Sequence, residues 1–187
     1  TLEIPAPGGG YVIPPVVAKW LVPKLELHGV RTEPLPAIDS ASVHAWRADT
    51  VTLATSSFEG HVETKLSGKW NPEPQPLPGS SVFVPITQPR ARLIMALLEP
   101  EAPDSLAAWG FFPTAFEIKE YMEPYVAERV AEEMLARDPV LAEQFKRRLE
   151  EDLAFAADPK ARLDFFYRRH PSWDTHCNLY PVLRVEK

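Results

Sequence analysis

Five histidines, one cysteine and 26 acidic side chains are the raw material for hydrolytic or metal chemistry in this sequence. A helix-borne or loop-borne zinc site needs two ligands at fixed spacing, as in His-Glu-x-x-His or His-x-x-Glu, plus a distant third. Three residues after the five histidines stand Arg31, Arg47, Thr64, Trp173 and Leu179, so none of them opens a His-x-x-Glu pair, and none has a second histidine four residues on. The densest group of potential ligands is His170, Asp174, His176 and Cys177. Those residue types hold metals or form Cys/His nucleophilic pairs. The plainer alternative is a helix-ending turn, His170-Pro171-Ser172-Trp173-Asp174, with His170 near the C-terminal dipole and Trp173 as an apolar anchor.

Other signatures are tested in the same way. Gly8-Gly9-Gly10 lacks the Lys-Ser/Thr of a phosphate loop and the spacing of a dinucleotide fingerprint, and no Gly-x-Ser-x-Gly elbow occurs. Glu117, Glu120 and Glu123 recur every third residue around Lys119; on one helical face they would be an acid/base pair or a solvated, salt-bridged row. Trp109, Phe111, Phe112 and Phe116 concentrate aromatic area around Gly110 and Pro113, which fits either ordinary core or a contact surface for a ligand or another domain. No catalytic or metal-ligating residue is assigned. The candidate contact residues are Trp109, Phe111, Phe112, Tyr121, Glu117, Glu120 and His170.

The elements that must position these residues follow from periodicity. Residues 1–10 read as a linker ending in three glycines. The remainder, 11–187, reads as one accessory domain: 11–88 mainly strands with one helix, 89–170 helical, 171–187 an extended tail. Tyr11-Val12-Ile13 is a strand candidate; Val16, Trp20, Leu21 and Leu25 give a helical stripe that Pro23 should kink or break; Val30 to Leu35 closes a β-α-β unit. Short runs around Val43–Leu53, Val62–Leu66 and Val82–Val84, separated by Gly, Pro, Asn and Ser, predict an antiparallel sheet. Helices follow: 91–98, a short one capped by Asp104-Ser105, a long one over 116–137 bent at Pro124, one from Asp138-Pro139 to Glu150, and one from Asp158-Pro159 to Arg169. The tail is an edge-strand candidate because Pro181 removes a ladder donor. The fold class is α+β, a small antiparallel or mixed sheet in the N-terminal half with four to five C-terminal helices.

Composition narrows the function further. In 187 residues, 45% are hydrophobic and 25% charged, close to globular averages, and the formal net charge is −6. Interspersed charges with an acidic balance argue against nucleic acid as a partner, because such binding needs a positive footprint. The 21 prolines are roughly double the usual ~5% share and fall mainly in turns and connections. One cysteine excludes an internal disulfide and a multi-cysteine zinc site, and no apolar run of ~18 residues is present to span a membrane. The opening Thr1-Leu2-Glu3-Ile4-Pro5 carries no leader and reads as a cut within a longer chain.

Several strings carry a resemblance. They are Val84-Pro85-Ile86-Thr87-Gln88-Pro89-Arg90-Ala91-Arg92-Leu93, Leu97-Leu98-Glu99-Pro100-Glu101-Ala102-Pro103-Asp104-Ser105-Leu106, Trp109-Gly110-Phe111-Phe112, Phe116-Glu117-Ile118-Lys119-Glu120-Tyr121 and Asn178-Leu179-Tyr180-Pro181-Val182-Leu183-Arg184. Together with Tyr11-Val12-Ile13-Pro14 and Leu27-His28-Gly29-Val30 they resemble the C-terminal region of bacterial carboxypeptidase A-like zinc metallopeptidases. That resemblance implies a parent protein with an upstream peptidase domain that holds zinc through His-x-x-Glu and a later His, with a Glu as general base. None of those positions maps onto these residues, so no cofactor is expected in the fragment and zinc is expected upstream. The expectation is a noncatalytic accessory domain, exported to periplasm or medium with its parent, whose partner is the upstream peptidase domain. Two rivals stand beside it: a module binding peptide or glycan through Trp109, Phe111, Phe112 and Tyr121, and a small enzyme using Glu117 or Glu120 with His170.

Overall fold

A computed structural model describes residues 3–119 and 121–187. In chain order the elements are β1 (Gly10–Ile13), α1 (Pro15–Leu27), β2 (Glu33–Pro34), β3 (Val43–Leu53), β4 (Thr64–Pro72), β5 (Val82–Pro85), α2 (Ala91–Leu98), α3 (Pro113–Phe116), α4 (Pro124–Arg137), α5 (Pro139–Glu151), α6 (Leu153–Ala157), α7 (Pro159–Tyr167) and β6 (Leu183–Val185). The architecture is α+β, and the chain divides into two compact units. One runs through Glu117 and takes back His176–Lys187; the other is Ile118–Thr175.

The first unit is a six-stranded antiparallel sheet in the order β2-β5-β1-β6-β3-β4. Its strands obey the two-residue period of extended chain. Tyr11 and Ile13 of β1 join Val84, Trp46, Tyr180 and Val182 in the core that α1 covers with Val17, Ala18, Leu21 and Leu25. The intervening Val12 joins Val43, Ala45, Leu183 and Val185 in a second, smaller cluster. Both faces of β1 are therefore covered, and all four of its residues are buried.

Several expectations are corrected here. The glycines read as a linker end carry ladder bonds: Gly9 N donates to Val185 O at 2.8 Å, Ile86 N donates to Gly9 O at 3.0 Å, and Gly10 opens β1. The expected β-α-β unit forms, but β5 inserts between β1 and β2, each antiparallel to it. Pro23 does not break α1; its ring sits on the exposed side, where solvent can meet the carbonyl that its missing N–H leaves. The tail is no edge. Pro181 precedes β6, which lies between β1 and β3 with all three residues buried. Residues 104–110 make turns in place of a regular helix: buried Ser105 accepts from Ala108 N at 2.9 Å in the manner of a helix cap and donates to Pro100 O at 3.1 Å. The chain closes after one turn at Gly110, whose φ is +71.

The second unit is helical, with Leu141, Phe155, Phe165, Phe166 and Ala131 at its centre and Phe145 and Leu149 against them. Phe145 is the hub, its ring 5.9 Å from Phe155, 5.3 Å from Phe165 and 4.7 Å from Phe166. Asp138 and Asp158 cap their helices as the Asp-Pro pairs predict, each accepting from two backbone N–H groups. Asp152 caps α6, a helix missing from the sequence reading. Of the helical run expected over 116–137, the part from Pro124 on forms α4, and Pro124 starts that helix where a bend was expected. α3 stops at Phe116, and α4 starts at Pro124, because the residue before a proline avoids helical backbone and Glu123 is extended at φ −56, ψ 140.

Candidate functional site

The aromatic face of the sheet unit is built by a hairpin tip. Between β3 and β4 the chain reverses at Phe58 and His61, whose backbones exchange bonds of 2.8 and 2.9 Å. Glu59 and Gly60 both take positive φ, 48° and 81°, as a two-residue turn of the twist-matching kind requires. That turn aims Phe58 and His61 at the 105–112 segment. Phe58 lies 6.2 Å from Trp109, and His61 lies 6.1 Å from Trp109 and 4.7 Å from Phe111. On its other side Phe111 stacks on Trp20 of α1, 5.6 Å apart and only 16° from parallel.

The approach is close enough to demand glycine at one point. Gly110 has φ +71, and a Cβ there would meet Val62 O at 2.1 Å. Thr64 N donates to Ala108 O at 2.8 Å, fixing the same two segments side by side. The result is a surface of rings with one imidazole among them. Phe58 is 54% exposed and Phe111 36%; Trp20, His61 and Trp109 are half-buried. Val16, one helical turn before Trp20 on the same side of α1, extends the apolar area outward. Chemically this face offers apolar contact and ring stacking.

The same unit holds a buried polar centre that the residue pattern did not single out. Glu99, directly after α2, is almost fully enclosed and accepts from Tyr11 Oη, from Trp70 Nε1 at 3.1 Å and from Arg184 Nε at 2.9 Å, with Arg184 Nη2 at 2.7 Å. Arg184 also donates to Pro5 O at 2.9 Å and lies over the Trp70 ring at 4.7 Å. Burial first, then the Glu99 charge and its hydrogen bond, pushes the Tyr11 hydroxyl well above its ordinary range. Burial likewise raises Tyr180, whose hydroxyl has no hydrogen-bond partner among the described residues. The carboxylate is saturated with donors, so the centre reads as a fixed pin that ties α2, β1, β4 and β6 together. A signal existed: Glu99 and Arg184 are single opposite charges inside apolar strings, Leu97-Leu98-Glu99-Pro100 and Val182-Leu183-Arg184-Val185.

The residues singled out from the sequence scatter. Trp109 and Phe111 come together on the aromatic face. Phe112 turns inward, buried and edge-on to Tyr180 at 5.2 Å. Tyr121 belongs to the helical unit and is 75% exposed. Glu117 is exposed and follows α3, and Glu123 precedes α4, so the expected row on one helical face is not formed; Glu120 lies outside the described residues. His170 Nδ1 is 2.8 Å from Ser172 Oγ in a turn after α7, and His176 and Cys177 fall in the other compact unit. Among the described residues no three His, Cys, Asp or Glu side chains gather as a metal site.

About half of the chain is similar to fungal carboxypeptidases. Carboxypeptidase 2 of Trichophyton tonsurans and that of Trichophyton equinum are each 35% identical to it over 107 residues, 56% of this chain and 19% of theirs. Carboxypeptidase 2 of Trichophyton rubrum is 35% identical over 105 residues, again 19% of its length. The chain thus matches about a fifth of the length of these relatives. The matched stretch is similar to carboxypeptidases, and the relatives are fungal where the sequence strings pointed to bacterial proteins. No protein-family profile matches the chain, and no solved structure matches it. Among the described residues no helix is long and apolar enough to cross a membrane.

Proposed function

We propose that this chain is an accessory module of a carboxypeptidase-like protein, packing on a peptidase domain elsewhere in the same protein and shaping access to its substrate cleft. One observation carries the reading: the similarity covers more than half of this chain but only 19% of the carboxypeptidases it matches. A region of that size within a larger peptidase has a ready partner in the remainder. In this reading the parent supplies the zinc and the attacking water, and the module travels with it out of the cytoplasm.

The aromatic face around Phe58, Trp109 and Phe111 is the surface assigned to that contact. Its rings lie on a hairpin tip and a tight turn held by backbone hydrogen bonds, so little conformational freedom is lost when they are covered. The peptide-binding or glycan-binding alternative is less well supported. Phe112 is in the core, and Phe111 stacks near-parallel on Trp20 while His61 packs against it at a tilt of 34°, so much of its ring is already engaged.

Two measurements test the reading. The purified chain, given Zn2+ and peptides with free C-termini, is expected to release no amino acids; turnover abolished by His170→Ala or His176→Ala would overturn it. The peptidase portion of a related carboxypeptidase, titrated with the chain, is expected to bind. The pair Phe58→Ser and Phe111→Ser should weaken that binding at least about tenfold, or about 1.4 kcal/mol.

A further inference from the structure

The helical unit carries a groove that the aromatic face does not explain. α4 begins only at Pro124, after an extended Glu123, and Ile118, Tyr121 and Met122 before it line the groove in place of another turn of helix. Together with Leu163 and Trp173 they wall a cavity of about 350 Å³. That is within the ~300–1,000 Å³ span of small-molecule sites, which are characteristically apolar with a few placed polar groups. Ala127, buried and small, leaves the floor open. Ile118 and Tyr121 are both largely exposed, an unusual state for such side chains flanking a cavity.

Three charges border it. Lys160 Nζ is paired with Asp164 Oδ2 at 2.6 Å, one helical turn apart. Arg168 at the end of α7 has no ion pair or side-chain hydrogen bond among the described residues, and its guanidinium lies 5.4 Å from the centre of the Trp173 ring. The border therefore holds one unmatched positive charge beside an apolar hollow. A free guanidinium offers a planar fork of donors that fits a carboxylate.

From the shape and this charge balance we propose that the groove binds a small apolar monocarboxylate, its alkyl or aryl body against Leu163, Met122 and Tyr121 and its carboxylate on Arg168. The inference is independent of the accessory reading, since it uses only residues of the helical unit.

The test is calorimetric titration of the full chain with 4-phenylbutyrate, and in parallel with 4-phenylbutanol and 4-phenylbutylamine. The acid is expected to bind more tightly than the alcohol, and the amine least. Arg168→Gln, at an exposed site, should weaken the acid about tenfold, the equivalent of one charge-assisted contact, while leaving the alcohol unchanged. An unchanged thermal melt certifies that this variant is folded. Absence of saturable heat with the acid, equal binding of the amine, or an Arg168→Gln variant as tight as the parent chain would each overturn the proposal. The Phe58→Ser, Phe111→Ser pair should bind the acid normally, so loss of docking and loss of the ligand are separate outcomes.

Discussion

The two units are held together by opposite means. In the sheet unit the decisive contacts join residues distant in sequence: Glu99 to Tyr11, Trp70 and Arg184, and Arg184 onward to Pro5. In the helical unit they are local and mostly aromatic, a cluster of phenylalanines from α5, α6 and α7 whose rim is covered by Arg148 over Phe155 at 4.3 Å and Arg169 over Phe165 at 3.8 Å. A charge sits inside one core and only on the margin of the other. Polar centres fix a unique register but punish any loss of a partner, whereas an apolar cluster loses stability in proportion to the area and volume removed. The surface features divide along the same line. The aromatic face rests on strands pinned by the buried pair, and the groove rests on helices whose approach is set by side-chain volume.

The comparison is broken most sharply at its charged end. Arg184→Leu should destabilise the sheet unit by about 3–5 kcal/mol, because it strands the Glu99 carboxylate in an apolar setting. Adding Glu99→Gln, which removes the buried charge and whose carbonyl can keep accepting from Trp70 Nε1 while its amide N–H donates to the Tyr11 hydroxyl, should recover part of that loss in urea unfolding. If the double variant is no more stable than the single one, the pair is not what holds the centre.

The apolar counterpart is Phe166→Ala, expected to cost about 3 kcal/mol or slightly more through lost burial and the cavity left behind. Hydrogen exchange should show faster amides in α4, α5 and α7, with those of β1, β5 and β6 unchanged. Equal loss of protection in the strands would mean that the two cores are one cooperative structure. Smaller again is Gly110→Ala, which forces a side chain into a left-handed backbone against Val62 O; about 2 kcal/mol is expected. Displacing that turn should also weaken docking through the aromatic face.

The same contrast explains what the sequence disclosed. The Asp-Pro starts of α5 and α7 and the apolar stripe of α1 are written in neighbouring residues, and the structure follows them. The α+β class follows from the change of period along the chain. β6 was misplaced because its position depends on strands more than a hundred residues away, and Pro181 gave a true local signal, a missing donor, about the wrong boundary. The acidic row at Glu117 and Glu123 dissolved because the residue before Pro124 governs the backbone more strongly than the three-residue spacing. Of the contact candidates, Trp109 and Phe111 were legible as a cluster, but Trp20, Phe58 and His61 reach them through a crossover helix and a hairpin tip that spacing cannot reveal. The groove was visible only as Tyr121.

The smallest effect separates surface charge from buried charge. Arg47 and Glu73 make a two-pronged contact at 2.9 and 2.7 Å across β3 and the end of β4, each about one-third exposed. The hydrogen bonds from Arg47 hold the Glu73 carboxyl below its usual range, burial opposing them, and the same contact raises Arg47. A depressed carboxylate stabilises the fold above its unfolded pKa, and the contribution disappears as pH falls through the folded value. Solvent screening limits this to less than about 1 kcal/mol. Stability of the parent chain should therefore decline slightly more steeply than that of Glu73→Gln between neutral and acid pH, and the two should converge at the acid end. Salt should shrink the difference at neutral pH, since the pair is reached by solvent. Arg184 and Glu99, sealed from it, should show no such sensitivity, and a salt response there as large as that of Arg47 and Glu73 would erase the distinction between the two kinds of charge.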